Sequence, residues 1–566
     1  MRITSIFHVI VLLSLYSTII NAAPATSAVP TLEKRQETEQ DPDFNTNIFK
    51  SFKPLEVTAS PITREYTLTL AKTELAPDGF SRQVWTSNGQ YPGPMIRANK
   101  GDQIVIHVQN NLGDFTTIHW HGIFQRGTTF YDGVAGQTQC LIATGTTFVY
   151  NFTGGEQYGT YWWHSHFRSQ YVDGLRGALI IHDPKDPYLN DYDEEFVMTL
   201  SDWHHEESES LVKKRMAKGY DGYNPIPDSG LISGRGRYDC SKAPQGSKCV
   251  PDNPLAIYVI EKGKRYRFRV INTSAEAPFT FSIDQHPLRI IEVEVTGILR
   301  YNGAPETYPT TQEWDEKILN CRDVDHNLLK LNPPRSPPVT PTDNFTLKIT
   351  FEHIGDVGHA LVNGSPFNPE IYDPTANKLM YGGDETPSML DKDQNAFVYD
   401  TQNGSVEISL INDNMATHPF HLHGHNFYIM AHGPGKVPDP SMFNLVDPAV
   451  RDTITVAGYS WAVIRYNIDN PGIWAFHCHI EWHVEMGMVG QLIERFSELK
   501  GDPIPPQVRS ICPLDDDDDD DDDDKKDNNN TAKKRSLKAY KNYYKRSDVP
   551  NHSRHVKYQF IRGSAY

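Results

Sequence analysis

Apolar and polar residues alternate along much of the chain from about residue 62 onward. In the stretches 64–70 and 103–108, apolar side chains recur at every second position. Such alternation is typical of strands with one buried face, because successive side chains of a strand point to opposite sides. Turn-forming Gly, Pro and Asn residues separate these short stretches. The pattern predicts an all-β protein built from β-sandwich domains.

Both ends of the chain differ from this body. Residues 1–23 have a positive start, an apolar stretch and small residues at the end, which predicts a signal peptide. The dibasic pair Lys34-Arg35 looks like the processing site of a fungal secreted protein; the alternative is an ordinary charged loop. On the first interpretation, residues 24–54 are a propeptide and lead-in. Ten consecutive Asp open a charged segment over 515–566, where we expect disorder and no membrane anchor.

The charge and the glycosylation motifs narrow the possible environments. The net charge is −18, which argues against nucleic acid as a partner and is compatible with cationic substrates. We expect a secreted glycoprotein, either free or associated with the cell wall, and a monomer. Seven Asn-x-Ser/Thr motifs are plausible glycan sites: Asn151, Asn272, Asn344, Asn363, Asn403, Asn529 and Asn551.

Ten histidines and one cysteine lie in four short groups, two in the first third of the chain and two near its end. Histidine is the commonest metal ligand, and imidazole suits copper. Unrelated surface and core histidines would not be expected to form four such groups. The groups are His119 and His121; His164 and His166; His418, His421 and His423; and His477, Cys478, His479 and His483.

The spacing of these histidines indicates more than one metal. On a strand, residues i and i+2 share a face, so each His-x-His pair offers two imidazoles side by side. Four such pairs give eight imidazoles, which exceed the needs of one metal and predict a cluster. Cys478 would point the opposite way and bind a separate metal with His418, His483 and Met488, the ligand set of a blue-copper site. The backbone of Cys478 would then connect that metal to the cluster.

This pattern resembles the multicopper oxidases, which include laccases, ascorbate oxidases and the fungal iron-transport ferroxidases. The resemblance covers about residues 50–514 and implies four copper ions. It assigns the type 1 copper to His418, Cys478 and His483, with Met488 axial, and the type 2 copper to His119 and His421. The type 3 pair is assigned to His121, His164, His166, His423, His477 and His479.

The same resemblance implies an activity and a domain plan. Members of the family couple four one-electron oxidations of a reducing substrate to the reduction of O2 to two waters. Three cupredoxin-like domains are expected at 55–186, 190–315 and 340–514, with the copper cluster between the first and the third. The middle domain departs from the family, because the stretches 288–293 and 297–301 are joined without the strands expected between them. This is a real deletion or a faulty gene model.

Three carboxylates match residues that assist the coppers in relatives. Asp132 resembles a laccase Asp near the type 2 copper, and Glu481 resembles a ferroxidase Glu near the type 3 pair. Either would orient a bound water or relay protons. The alternatives are a turn residue for Asp132 and a solvated or salt-bridged carboxylate for Glu481. Asp202 resembles the laccase carboxylate that accepts the proton of a phenol, or it is a buried structural residue.

The substrate stays open between several possibilities. We expect a laccase-like enzyme that oxidises phenols and aromatic amines. A ferroxidase acting on Fe2+ is supported by Glu481, and an ascorbate oxidase is supported by Met488. Met488 either binds the type 1 copper and lowers its potential, or only packs beside it. A non-enzymatic alternative is a copper-binding product of a truncated gene.

The cysteines other than Cys478 predict two disulfides by resemblance. Cys140 and Cys512 match cysteines that tie the C-terminus of fungal laccases to their first domain. Cys240 and Cys249 match a local disulfide of ascorbate oxidase, and Cys321 is left over.

Overall fold

The computed structural model describes residues 10–11, 46–56, 58, 60–219, 222–279, 281, 283, 298–301, 326, 330–331, 335–381, 386–500 and 504–512. In this part the regular elements are mostly strands, and the predicted all-β class is confirmed. The predicted charged tail and, apart from residues 10–11, the predicted signal peptide and propeptide up to residue 45 lie outside the described residues. None of the described helices is long and apolar enough to cross a membrane.

Two four-stranded sheets form the first layer pair, in the orders β4-β3-β6-β8 and β5-β10-β9-β7. In β6, Ile104, Ile106 and Val108 are buried and alternate with half-exposed residues, as the sequence pattern predicts. They pack against Ile118 and Trp163 of the other sheet. The strands up to this point are β1 (Ile10–Val11), β2 (Ile48–Lys50), β3 (Thr63–Leu75), β4 (Arg82–Ser87), β5 (Ile96–Asn99), β6 (Gln103–Asn110), β7 (Ile118–His121), β8 (Thr146–Thr153), β9 (Gly159–Ser165) and β10 (Arg176–His182).

The next segment is smaller, with two three-stranded sheets in the orders β12-β11-β14 and β15-β13-β2. Strand β15 lies within the stretch 297–301 of the middle domain, and it pairs in parallel with β13. The stretch 288–293 lies outside the described residues, so the shortening stays a prediction. The elements are β11 (Glu194–Trp203), α1 (Ser208–Met216), β12 (Ser229–Ile232), β13 (Ile257–Ile260), β14 (Tyr266–Asn272) and β15 (Ile298–Tyr301).

A six-stranded sheet, β18-β17-β20-β25-β22-β23, and a five-stranded sheet, β19-β27-β26-β21-β24, form the last layer pair. Strand β16 pairs with β1. The strands are β16 (Lys330–Leu331), β17 (Asp343–Ile354), β18 (Val357–Val362), β19 (Ala396–Tyr399), β20 (Ser405–Asn412), β21 (His418–Leu422), β22 (Phe427–Pro434), β23 (Val450–Arg451), β24 (Thr453–Val456), β25 (Ser460–Asn467), β26 (Gly472–Cys478) and β27 (Val489–Glu494). The helices are α2 (Glu481–Glu485), α3 (Phe496–Leu499) and α4 (Pro506–Ser510).

Specific hydrogen bonds join the first layer pair to the last. The amide of Ile473 donates to Oγ1 of Thr129 at 3.1 Å, and Nδ2 of Asn470 donates to the carbonyl of Phe124 at 2.7 Å. Buried apolar residues continue from the middle segment into the last one in a single cluster. The segments before residue 190 and after residue 340 are therefore in direct contact, as the predicted interfacial cluster requires.

The disulfides agree with the predictions as far as they are described. Cys240 and Cys249 form the predicted local disulfide, with their Cα atoms 5.7 Å apart. Cys140 and Cys512 are each disulfide-bonded, and their pairing with one another stays a prediction. Cys321 lies outside the described residues. Among the described cysteines, Cys478 alone is free.

Candidate metal centres

Paired strands bring the eight clustered histidines together in two matching sets. His119 of β7 lies opposite His164 of β9, and His421 of β21 lies opposite His477 of β26. Both histidines of the first pair lie on their strand. In the other three pairs the second histidine follows the strand end, so the predicted side-by-side placement on one strand describes fully only His119 and His121.

Imidazoles from the two ends of the chain stack on one another. The rings of His119 and His423 lie 3.9 Å apart between centroids, and those of His121 and His421 also lie 3.9 Å apart. Donor atoms within 4.8 Å of one another define several three-residue groups. These include His119 with His421 and His423, His119 with His121 and His164, and His166 with His423 and His477.

The ring nitrogens of these histidines are oriented as in metal sites. Nδ1 of His119, His164 and His421 each donates to a backbone carbonyl at 2.7 to 3.0 Å. Within the described residues, Nε2 of the same three rings is buried without a hydrogen-bond partner. A buried ring nitrogen normally finds a partner, and metal-bound histidines characteristically donate their other nitrogen to a carbonyl. The donor set therefore fits a cluster of metal ions.

Burial favours the neutral form of several of these imidazoles. It lowers the pKa of His166 to about 3 and the pKa of His479 to about 4. It also lowers the pKa of His423 well below its usual value, and neighbouring histidines add to that effect. Neutral imidazoles have the free lone pair that a metal requires.

A second, separate group surrounds Cys478. Its Sγ lies 3.6 Å from Nδ1 of His418 and 3.5 Å from Nδ1 of His483, and the two nitrogens are 3.1 Å apart. Met488 is fully buried, and its carbonyl accepts the amide of Cys478 at 3.2 Å. Burial raises the pKa of the Cys478 thiol, so a metal would bind here by displacing the thiol proton.

The two neighbours of Cys478 belong to the histidine cluster. Nε2 of His477 lies 3.0 Å from Nε2 of His423, and Nε2 of His479 lies 3.3 Å from Nδ1 of His121. The cysteine thus contributes its side chain to one group while its chain neighbours contribute theirs to the other. The assignment of individual residues to individual coppers stays a prediction.

Asp132 lies between two clustered histidines. Its Oδ2 accepts a hydrogen bond from Nδ1 of His423 at 2.7 Å, and its backbone carbonyl accepts one from Nδ1 of His119. The carboxylate is fully buried. Burial raises its pKa, and the proximity of His119 opposes that effect. Its contacts fit the predicted role beside the cluster better than the role of a plain turn residue.

Glu481 opens α2 and is 6% exposed. Burial, and then the charge of Glu485, raise the pKa of Glu481 well above its usual value. Its backbone amide donates to the carbonyl of Ala275 at 3.0 Å. A buried carboxyl with a raised pKa, two residues from His479, is compatible with the predicted proton relay, which stays a prediction.

Asp202 is almost fully engaged by backbone amides. Its carboxylate oxygens accept hydrogen bonds from the amides of Ala275, Glu276 and Ala277 at 2.8, 3.0 and 3.1 Å. The residue is 2% exposed. These contacts suit the structural alternative as well as the predicted proton acceptor, and the acceptor role stays a prediction.

Sequence reasoning missed three polar residues at these sites. Oδ2 of Asp452 lies 3.7 Å from Nε2 of His121. Asn414 and Asn224 contact the outer nitrogens of the two histidines beside Cys478. An isolated Asp or Asn carries no motif, so no sequence signal could have found them.

Comparisons with known proteins agree with this geometry. Three models described as multicopper oxidase match residues 69–186, 194–303 and 365–497. Laccase-1 of Cryptococcus neoformans is 32% identical over 82% of this chain and 86% of its own length. The laccase of Phlebia radiata is 33% identical over 79% and 92%. The chain belongs to the multicopper oxidase family.

Solved structures of related proteins share the fold of this multicopper oxidase. The laccase from Botrytis aclada superposes with a TM-score of 0.70 at 30% identity, over 80% of this chain and 91% of its own. Fet3p, a multicopper oxidase that functions in iron import, gives 0.67 at 27% identity, over 80% and 94%. This multicopper oxidase is a laccase-like, copper-binding oxidoreductase that uses O2 and a reducing substrate.

Proposed function

We propose that the protein is a secreted, monomeric laccase that oxidises phenols and aromatic amines and reduces O2 to two waters. The observation that carries the proposal is the position of Cys478. Its thiol lies within 3.6 Å of two histidine nitrogens, while the adjacent His477 and His479 contact the separate histidine cluster. Electrons accepted beside the cysteine would have to cross only one residue to reach the cluster.

Four copper ions fit these donors. His418, Cys478, His483 and Met488 would hold the type 1 ion, and His119 and His421 would hold the type 2 ion. When bound, the ions would supply the one-electron acceptor and the centre at which O2 is reduced. The type 3 pair would be held by His121, His164, His166, His423, His477 and His479.

The protein side chains would perform three tasks in this proposal. Asp132 holds His423 in one ring orientation through a hydrogen bond of 2.7 Å. Glu481 is a buried carboxyl near the cluster and is proposed to relay protons, which O2 reduction consumes. Asp202 is proposed to accept the phenol proton, which makes removal of the electron easier.

A ferroxidase is the second candidate. The likeness to Fet3p and the buried Glu481 in its His-Ile-Glu-Trp-His setting favour it. Ascorbate oxidation is a third, because Met488 lies beside Cys478 and an axial methionine would favour easily oxidised substrates.

Steady-state rates on copper-loaded protein distinguish these candidates. We expect kcat/KM for a methoxyphenol to exceed the values for Fe2+ and ascorbate, with O2 consumed in a ratio of one per four electrons. A higher kcat/KM for Fe2+ would replace the proposal with the ferroxidase. Failure to oxidise any of the three by fully copper-loaded protein would favour the non-enzymatic alternative.

A further inference from the structure

Two amide side chains meet the outer nitrogens of the histidines beside Cys478, and they do so differently. Nε2 of His418 lies 3.0 Å from Oδ1 of Asn414, which is an acceptor. Nε2 of His483 lies 3.1 Å from Nδ2 of Asn224, which is a donor. A neutral histidine that binds a metal through Nδ1 carries its hydrogen on Nε2. The N–H of His418 then has an acceptor in place, whereas the N–H of His483 faces a donor.

Two further partners fix the orientation of Asn224. Its Oδ1 accepts from Nε of Arg215 at 3.0 Å, and its Nδ2 donates to Oε1 of Glu276 at 2.9 Å. Reversing the amide would set its NH2 group against the guanidinium and its carbonyl oxygen against the carboxylate. The Nδ2 donor of Asn224 therefore stays opposite His483. When His483 binds a metal through Nδ1, its Nε2–H group requires a hydrogen-bond acceptor other than Asn224.

Glu276 is a charged acceptor at this edge. Nδ2 of Asn224 contacts both Oε1 of Glu276 and Nε2 of His483. Glu276 and His483 therefore lie within two hydrogen-bond lengths of each other. Glu276 is exposed, whereas Asp202 is buried. Glu276 is therefore open to a substrate from solvent, whereas Asp202 is covered and accepts three backbone amides.

The loop that carries Glu276 is held by several hydrogen bonds. Asp202 accepts the amides of Ala275, Glu276 and Ala277, as described above. The carbonyl of Ala275 accepts the amide of Glu481 at 3.0 Å, which ties the loop to the segment that bears His483. Asp202 thus fixes the position of Glu276 relative to the cysteine site.

We propose that Glu276 is the substrate-binding carboxylate at the edge of the cysteine site and that it favours aromatic amines with a positive charge. The inference rests on the proposed laccase function. Tyr223 and Ile226, which flank Asn224 along the chain, are 73% and 86% exposed and offer apolar surface to an aromatic ring. The acidic chain also attracts cations.

The E276Q variant tests the charge while retaining an oxygen that can accept from Asn224. We expect kcat/KM for cationic 4-amino-N,N-dimethylaniline to fall about 10-fold, as for loss of one charge-assisted contact. The value for neutral 2,6-dimethoxyphenol should stay within about twofold, since a neutral ring makes no ion pair with the carboxylate. The control is E261Q, which removes another exposed carboxylate paired with Lys264 and should change neither value.

A binding measurement removes the dependence on turnover. Phenyltrimethylammonium cannot be oxidised readily, so calorimetric titration of the copper-loaded protein reports its Kd alone. We expect that Kd to rise about 10-fold in E276Q and to stay unchanged in E261Q. In the wild type, added salt should weaken oxidation of the cationic amine and leave the neutral phenol unaffected.

Several outcomes would overturn the inference. They are equal losses for cationic and neutral substrates, an unchanged Kd for the ammonium probe, and no effect of salt on the wild type. A loss confined to Fe2+ would also overturn it, because the carboxylate would then bind a metal ion. If no organic substrate were oxidised at all, the proposed function would fail, and the ammonium titration would still decide the role of Glu276.

Discussion

Nδ1 of His423 donates to Oδ2 of Asp132 at 2.7 Å, although 291 positions separate the two residues in the chain. The backbone carbonyl of the same aspartate accepts a hydrogen bond from His119. One buried residue therefore orients a histidine from each of the two segments that build the cluster. Its removal should affect metal binding more than folding.

We expect Asp132→Asn to weaken copper retention at the cluster by about 10- to 100-fold, the usual effect of losing such a supporting contact. Copper content after dialysis against a graded chelator is the measurement. Asp114→Asn is the control, because this partly buried aspartate of the same segment accepts a hydrogen bond from the Phe115 amide instead. Equal copper retention in the two variants would contradict the role of Asp132.

Cys478→Ser should remove the blue colour and electron entry while copper stays at the histidine cluster. The reason is that the thiolate is both a ligand of the type 1 copper and the source of its intense absorption. Visible absorption and copper content should be measured together, with about three coppers retained of four. A colourless wild type that carries its full copper complement would refute the assignment.

If Asp202 accepts the proton of a phenol, Asp202→Asn should slow phenol turnover by about 10²-fold or more. A dye that loses only an electron should be affected much less. Since the carboxylate also binds three backbone amides, thermal stability should be measured in parallel. Equal losses on both substrates, together with a lower Tm, would make Asp202 a structural residue.

Met488→Leu should raise the potential of the type 1 copper, because leucine cannot act as an axial ligand. Redox titration of the blue band measures the change directly. Oxidation of phenols with higher potentials should become faster, while easily oxidised ones gain little. An unchanged potential would mean that Met488 only packs beside the cysteine.

A buried ion pair near the first and middle segments predicts a pH-dependent stability. Glu195 accepts from Arg269 at 2.8 Å and is paired with His182. Burial raises the pKa of Glu195, but Arg269 and then His182 outweigh that effect and lower it to about 2, from a usual value of 4.5. Because the folded pKa is depressed, the stabilisation is complete above pH 4.5 and is lost as the pH falls towards 2.

Glu195→Gln should therefore lower the free energy of unfolding by about 3–5 kcal/mol at pH 7, since it leaves Arg269 buried without its countercharge. The difference from the wild type should shrink as the pH is lowered below 4.5. Urea denaturation at pH 7, 5, 4 and 3 measures it, with Glu261→Gln as the exposed control. A difference that does not change with pH would contradict the assignment.

Sequence alone predicted the fold class and the two groups of side chains that the fold brings together, because alternation and His-x-His spacing are local. These local patterns could not predict individual side-chain contacts between distant segments, and the meeting of the first and third domains was expected only from the resemblance to multicopper oxidases. Asn224 and His483, for example, are 259 positions apart, and no sequence motif predicts their contact. The hydrogen bonds from three backbone amides to Asp202 could not be predicted either, because they depend on how the loop after β14 folds back onto β11.

The cross-strand pairing of His119 with His164 recurs as that of His421 with His477. The two ends of the chain thus supply equivalent halves of one histidine cluster, and groups such as His119 with His421 and His423 span both halves. Ions bound at this seam would act as a cross-link between the halves. Copper binding and the association of the two halves are then linked equilibria. A lower copper concentration weakens the association of the halves, and tighter association lowers the Kd for copper.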